Sequence, residues 1–420
     1  MRKILFLITH AYPYSPPSEQ FLHNEIQYLS KAFDKVIMIP VSRTARTENV
    51  RDISFKNVSV IRLMRRNKFV EILNVLITKT LWQKNFYKDI VSLFKRQAVF
   101  NKSAVMQFLA YHTNSYIIFS KTLEILRTAD YKDNITIYSY WLSELSYSAA
   151  LLKNRMKKDG YKNVSMISRA HGPYDLFISK ISKGFKPCLK YLTEHIDMIY
   201  SISNEGKEYL KSIGFTNTIK VSYLGVAKSN SINIIRAKSY PIHIVSCSYI
   251  SPIKRIDKIV SALSKIDSIE VKWTHIGGGK LYDQIAEIAK RTLPSNIKWE
   301  LKGVLKNQDI LEYYKENSPD VFINVSSMEG IPVSIMEAIS FGIPVIATDV
   351  GGTCEICVEG YNGYLLNKDF KGDDLVNAIM KIILMPKDQY QIMCQNSHSL
   401  FLGKFDQETN YLNFIKQILG

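Results

Sequence analysis

No glycine stands before Gly160, so the first half of this sequence cannot carry the glycine-rich dinucleotide fingerprint that turns a backbone tightly onto a pyrophosphate. Cysteine is scarce as well. Cys188, Cys247, Cys354, Cys357 and Cys394 are too few and too scattered for a disulfide framework, which points to a reducing, cytoplasmic setting. The Cys354-x-x-Cys357 pair lacks a second pair and a nearby histidine to complete four zinc ligands, so both read as incidental buried thiols. No aspartate-rich triad offers another metal site. Apolar residues never run uninterrupted for the ~18–20 positions a membrane span needs. The N-terminal MRKILFLITHAYPY turns polar by Thr9 and reads as a first buried strand, not a signal peptide.

Acidic residues are outnumbered, 38 against 55 Lys and Arg, for a net charge of +17. Such a balance implies an anionic partner: nucleic acid, an acidic membrane surface or a phosphorylated substrate. The basic residues form no recognisable nucleic-acid module and lack an ordered set of stacking aromatics, which argues against the first. A chain of 420 residues with 46% hydrophobic content exceeds one core, so two domains of roughly 150–200 residues are expected.

Strand and helix patterns alternate in both halves, as doubly wound parallel sheets require. Residues 3–8 and 36–41 read as strands around an amphipathic helix capped by Ser18, with Phe21, Leu22, Ile26 and Leu29 in its stripe. Residues 135–140 are another strand, followed by Trp141. A strand end at 166–168 runs into RAHGPYDLF, which puts His171 just beyond a strand's carboxyl end, where open α/β sheets hold ligands. Residues 1–232 thus form a first domain, 227–240 a linker, 233–400 a second domain, and 401–420 a final helix. In the second domain Lys254 and Arg255 occupy a strand-to-helix turn, a place where a cation meets a diphosphate.

Between residues 62 and 102 ten Lys or Arg stand against Glu71 and Asp89, interleaved with Trp82, Phe86, Tyr87, Phe94 and Phe100. A basic amphipathic segment of this kind either lies in an anionic membrane interface or packs its apolar stripe on its own domain.

The densest signal is DVFINVSSMEGIPVSIMEAISFGIPVIATDVGGTCEICVEGYNG at 320–363. Residues 321–325 suit a buried strand; Ser326, Ser327, Glu329 and Gly330 form a turn; Pro332 opens a helix; 345–348 form the next strand. Glu337, in the helix's second turn, leans back toward its N-terminus and toward Glu329. A helix start between two carboxylates holds an anion flanked by polyols, the shape of a nucleotide sugar.

With EGIPVSIMEAISFGIPVIATDVGG around the two acids and NGYLL at 362–366, this stretch resembles the donor-site signature of family 4 retaining glycosyltransferases. The resemblance implies the GT-B fold, two facing Rossmann-like domains with a C-terminal helix crossing back to the first. It implies that Glu337 binds the ribose hydroxyls, that Glu329 holds hydroxyls of the transferred sugar with the amides near Gly330, Ile331 and Val333, and that Gly303 and Val304 brush the nucleobase. His171 would contact the transferred sugar, with Arg169 and Asp175 orienting it or binding acceptor. Lys254 matches the family's phosphate-gripping lysine, but Tyr249 stands where members carry an arginine, which leaves Arg255 as the second cation. The glycine-free loop after the first strand is another departure. The implied activity moves a sugar from a nucleoside diphosphate, uridine being the prior, to a hydroxyl of a lipid-diphosphate-linked or other glycan. It needs no metal or other cofactor and is expected in the cytoplasm at the membrane's inner face, in capsule, O-antigen or exopolysaccharide assembly. Two alternatives stand beside it: a GT-B relative with other chemistry, such as a sugar-nucleotide epimerase or a phosphorylase, and a basic nucleic-acid-binding protein.

Overall fold

The computed structural model describes residues 1–14, 19, 21–42, 53–63, 68–96, 98–130, 132–172, 185–228 and 237–420. They divide into two units: Met1–Ser222 with Tyr411–Gly420, and Tyr223–Asn410.

Unit 1 is built on seven parallel strands: β1 Lys3–Thr9, β2 Lys35–Pro40, β3 Val58–Val60, β4 Asn134–Ser139, β5 Val164–Ala170, β6 Met198–Ser201 and β7 Ile219–Val221. Their order is β3-β2-β1-β4-β5-β6-β7. Ile4, Leu5, Phe6, Leu7 and Ile8 are all buried because helices cover both faces, so β1 is a continuous apolar run and not an alternating one. The helices are α1 Leu22–Ala32, α2 Lys68–Thr78, α3 Lys84–Lys95, α4 Lys102–Leu126, α5 Glu144–Lys158, α6 Leu189–His195 and α7 Asn204–Ser212. α1 starts after Phe21, which makes no side-chain cap; the expected cap, Ser18, lies outside the described residues.

The basic segment at 62–102 is therefore not one amphipathic helix but the pair α2 and α3. One face of α3 is core: Phe86 and Leu93 pack with Phe108 and Phe185. Asp89 on the same face is held in a buried trio. Its Oδ2 lies 3.0 Å from His112 Nε2 and accepts the Cys188 amide at 2.8 Å and the Cys188 thiol at 3.4 Å. Burial, then the Asp89 charge, pushes that thiol well above the usual range, so the trio is a hydrogen-bonded pin between α3, α4 and the head of α6.

Unit 2 repeats the plan with six parallel strands in the order β10-β9-β8-β11-β12-β13, from β8 Ile242–Cys247, β9 Val271–Ile276, β10 Ile297–Leu301, β11 Val321–Asn324, β12 Val345–Thr348 and β13 Gly363–Leu366. Its helices are α8 Ile256–Leu263, α9 Tyr282–Thr292, α10 Asn307–Asn317, α11 Val333–Ser340, α12 Gly372–Ile383, α13 Lys387–Lys404 and the start of α14 Gln407–Leu419. Chain direction across each sheet reverses between its first and fourth strands, β1 and β4 or β8 and β11, and the loops at the carboxyl ends there flank each unit's natural ligand crevice.

The units part at Ser222, earlier than the expected boundary at 232. The reason is local: Val226 N–H donates to Phe405 O at 3.1 Å and Gln407 N–H to Val226 O at 3.1 Å, tying this stretch to the end of unit 2. Of the expected linker, 229–236 lie outside the described residues. The last residues rejoin unit 1, where Phe414 of α14 packs against Tyr138 and Tyr200.

Candidate active site

The unit 2 crevice assembles the acids and the cation. Lys254, in the loop after β8, and Glu329, in the loop after β11, meet as an ion pair at 2.5 Å, and Asn324 Nδ2 reaches the same carboxylate oxygen at 3.4 Å. Both side chains keep part of their surface. Pro332 caps α11 instead of opening it, because its ψ of 111° is extended. Val333 is thus the first helical residue, and its amide and that of Ser334 precede the helix's first hydrogen bond, which Ile335 N–H makes to Pro332 O at 3.0 Å. Glu337, one turn on, is only 7% exposed and accepts a hydrogen bond from Asn307 Nδ2 of α10. Burial raises its pKa to about 7, against the pull of Asn307. Burial and then the Glu337 charge push the Cys247 thiol up to about 12, with Lys254 pulling the other way, so both groups face the end of β8.

Gly303 takes a φ of +68° and lies against Gly277, whose N–H donates to Gly303 O at 2.8 Å. Val304 beside it is 80% exposed, an open apolar edge beyond β9 and β10. Behind the acids, Gly351 has a φ of +58°, and a Cβ there would stand 1.9 Å from Glu329 O. Gly352 N–H donates to Gly330 O at 2.6 Å, so this pair of glycines backs the Glu329 turn. Gly351→Ala is expected to displace that turn and lower turnover about 100-fold, measured as kcat with folding checked by circular dichroism.

Arg255, beside Lys254 in the sequence, is held by backbone carbonyls. Its guanidinium donates to Val325 O at 2.6 Å, Ser326 O at 3.0 Å and Lys368 O at 2.7 Å and stacks on Phe370. The residue sits at φ +51° as the cap of α8, and its guanidinium braces the Glu329 loop.

In unit 1, His171 follows β5. Nε2 lies 3.0 Å from Tyr140 O, so Nε2 carries the proton and Nδ1 is the acceptor nitrogen. The ring packs among Trp141, Tyr140 and Phe21 at 4.6, 4.8 and 5.1 Å between centroids. Burial, then Arg169, drives its pKa well below the usual range, which makes it a neutral hydrogen-bonding group.

Arg169 is not an acceptor residue. It is fully buried, ion-paired with Glu25 at 3.3 Å, donates to Tyr138 Oη at 2.9 Å and Ser222 O at 3.3 Å, and lies under the Phe414 ring at 4.4 Å. No face of it remains for a ligand. Asp175 lies outside the described residues. Glu19 is a polar anchor that the sequence reading missed; an acid in a proline-rich loop lacking glycine was its signal.

Two doubly wound units give the chain a GT-B fold, and its similarities to known proteins make it a glycosyltransferase. Residues 228–398, within unit 2, match the family Glycosyl transferases group 1. The chain is 27% identical over 324 residues to an uncharacterized glycosyltransferase of Methanocaldococcus jannaschii, covering 76% of this chain and 82% of that protein. It is 24% identical over 208 residues to a putative colanic acid biosynthesis glycosyltransferase, WcaL, of Salmonella typhimurium, covering 47% of this chain and 50% of that one. The solved structure of Anabaena HepE in complex with UDP-glucose shares the fold at a TM-score of 0.64 and 16% identity, covering 100% of this chain and 99% of that one.

Proposed function

We propose that this glycosyltransferase moves a sugar, with retained anomeric configuration, from a uridine diphosphate sugar to a hydroxyl of a lipid-diphosphate-linked glycan in cell-surface polysaccharide synthesis, at the inner face of the cytoplasmic membrane. The Lys254–Glu329 pair at the head of α11, with buried Glu337 behind it, carries this reading. As the C1–O bond to the diphosphate breaks, the leaving oxygens gain negative charge, which Lys254 and the first-turn amides of α11 are set to meet. The acceptor oxygen bonds to C1 on the face the diphosphate leaves, and its proton passes to the departing phosphate, so no protein nucleophile is needed. Glu329 and neutral His171 are assigned to the hydroxyls of the transferred sugar, Glu337 to the ribose, and Gly303 with Val304 to the base. Uridine is supported by the UDP-glucose seen in HepE, and the polysaccharide setting by WcaL.

The test pairs a thermal-shift panel of nucleoside diphosphates and their sugars with NMR of the product. Expected are stabilisation by UDP above the other diphosphates, an α-linked product from an α-linked donor, and full activity in EDTA. An inverted product removes the retaining mechanism, and EDTA inactivation reversed by a divalent ion removes the metal-independent one.

The membrane part rests on the outer faces of α2 and α3. Val70, Leu73 and Ile77 form an exposed stripe on α2, and Tyr87, Val91 and Phe94 one on α3, flanking the face that is core. Trp82 and Phe100 in the turns are 78% and 85% exposed, and Lys84, Lys88 and Lys95 are exposed beside the α3 stripe. An apolar patch rimmed by lysines fits an anionic lipid surface. No helix among the described residues is long and apolar enough to cross a membrane, so the proposed contact is interfacial. Changing Trp82, Phe94 and Phe100 together to serine is expected to cut co-sedimentation with phosphatidylglycerol vesicles about tenfold or more and leave UDP binding intact. Unchanged sedimentation refutes the contact.

A further inference from the structure

Loops after the first strand of such units commonly turn their backbone N–H groups toward an anion. Here three successive N–H groups do converge, but on a side chain of the protein itself. His10 N–H donates to Glu19 Oε1 at 2.8 Å; Ala11 and Tyr12 donate to Oε2 at 2.9 and 2.7 Å. A fourth donor comes from the other side of the switch point, where Trp141 Nε1 reaches Oε1 at 2.6 Å. Glu19 is 1% exposed, and each of its oxygens accepts two hydrogen bonds. The indole it holds packs on the His171 ring at 4.6 Å and on His10 at 5.9 Å.

We propose that Glu19 is a positioning residue: its carboxylate fills the anion nest of the β1 loop in place of a ligand phosphate and, through Trp141, fixes the His171 ring for the sugar. Two consequences follow. The nest is saturated, so its amides are not available to the donor's diphosphate. Because acceptor count and not bulk is what the nest needs, glutamine is a poor substitute: its NH₂ would face groups that are themselves donors. Glycine is dispensable in this loop because the amides are drawn together by an internal carboxylate. The proposal rests on the reading that His171 meets the transferred sugar.

The experiment compares Glu19→Ala, Glu19→Gln and His171→Ala for kcat, donor KM and UDP affinity, with and without added sodium formate. Expected for Glu19→Ala is a fall in kcat of about tenfold or more at nearly unchanged UDP affinity, with part of the kcat restored by formate, which can occupy the vacated nest. Glu19→Gln should show the same fall while keeping side-chain volume, which guards against a folding defect in the alanine variant. Wild type and His171→Ala should not respond to formate. Loss of UDP affinity in Glu19→Ala overturns the proposal, since the loop would then hold the donor. So does an unchanged kcat, or formate without effect. Full activity in His171→Ala sinks the sugar-site reading itself, whereas an inactive His171→Ala beside a fully active Glu19→Ala sinks only the role given to Glu19.

Discussion

Glu337→Ala is expected to lower UDP affinity about 100-fold or more, because a buried carboxylate accepting from two ribose hydroxyls makes two charge-assisted hydrogen bonds worth about 1.5–3 kcal/mol each. Isothermal titration of the wild type and the variant measures it; an affinity loss below about threefold removes Glu337 from the donor site. The pH dependence is more specific. Burial places the empty protein's Glu337 pKa at about 7, and only the ionised form accepts from both hydroxyls. Wild-type affinity should therefore rise as pH goes from 6 to 8, and binding near pH 7 should release protons, visible as a buffer-dependent enthalpy. In Glu337→Gln both effects should vanish. The same shift acts on stability. A carboxyl whose folded pKa lies above its ordinary 4.5 favours folding fully below 4.5 and loses that contribution as pH climbs to about 7, so the empty protein is expected to soften over this window. Nucleotide binding opposes that loss, since the bound state prefers the ionised carboxylate.

Lys254→Ala is expected to reduce kcat about 100- to 1,000-fold, the effect of removing one preorganised partner for charge that develops in the transition state. UDP affinity should fall much less, since α11 and Glu337 remain. Part of the loss comes from Glu329, which is left half-buried without its cation. A double-mutant cycle with Glu329→Gln separates the two contributions: the combined variant should be less impaired than the single losses multiplied together, because the two groups share one interaction. Strictly multiplicative losses refute a working pair. Lys254→Arg is not expected to restore activity, as its longer planar fork does not fit the place of an ammonium held at 2.5 Å from Glu329.

Sequence spacing made the strand–helix alternation of both units legible because parallel strands buried on two faces are written as short apolar runs separated by helical periods. It also placed Glu329, Glu337 and Lys254 in or beside strand-to-helix turns, since the local chemistry of such turns is visible in a few neighbouring residues. The partners of Arg169 and Arg255 were hidden for one shared reason. Whether an arginine faces a ligand or the protein depends on partners far away in the chain, Glu25 and Phe414 for the first and the Lys368 carbonyl for the second. The mixed fate of α3, one face core and the other bare, was equally hidden, because apolar residues occur on both faces of the helix. Glu19 escaped notice because a single acid in a loop is ordinarily solvated, and only the fold brings His10, Ala11, Tyr12 and Trp141 to it.

The membership of residues 411–420 in unit 1 sets an order on biosynthesis. Unit 2 is continuous in the chain and is free to fold as soon as Asn410 has been made. Unit 1, although most of it is synthesised first, gains the Phe414 ring that covers the Glu25–Arg169 pair only at the end of synthesis. The earlier-made half is thereby the later to be completed.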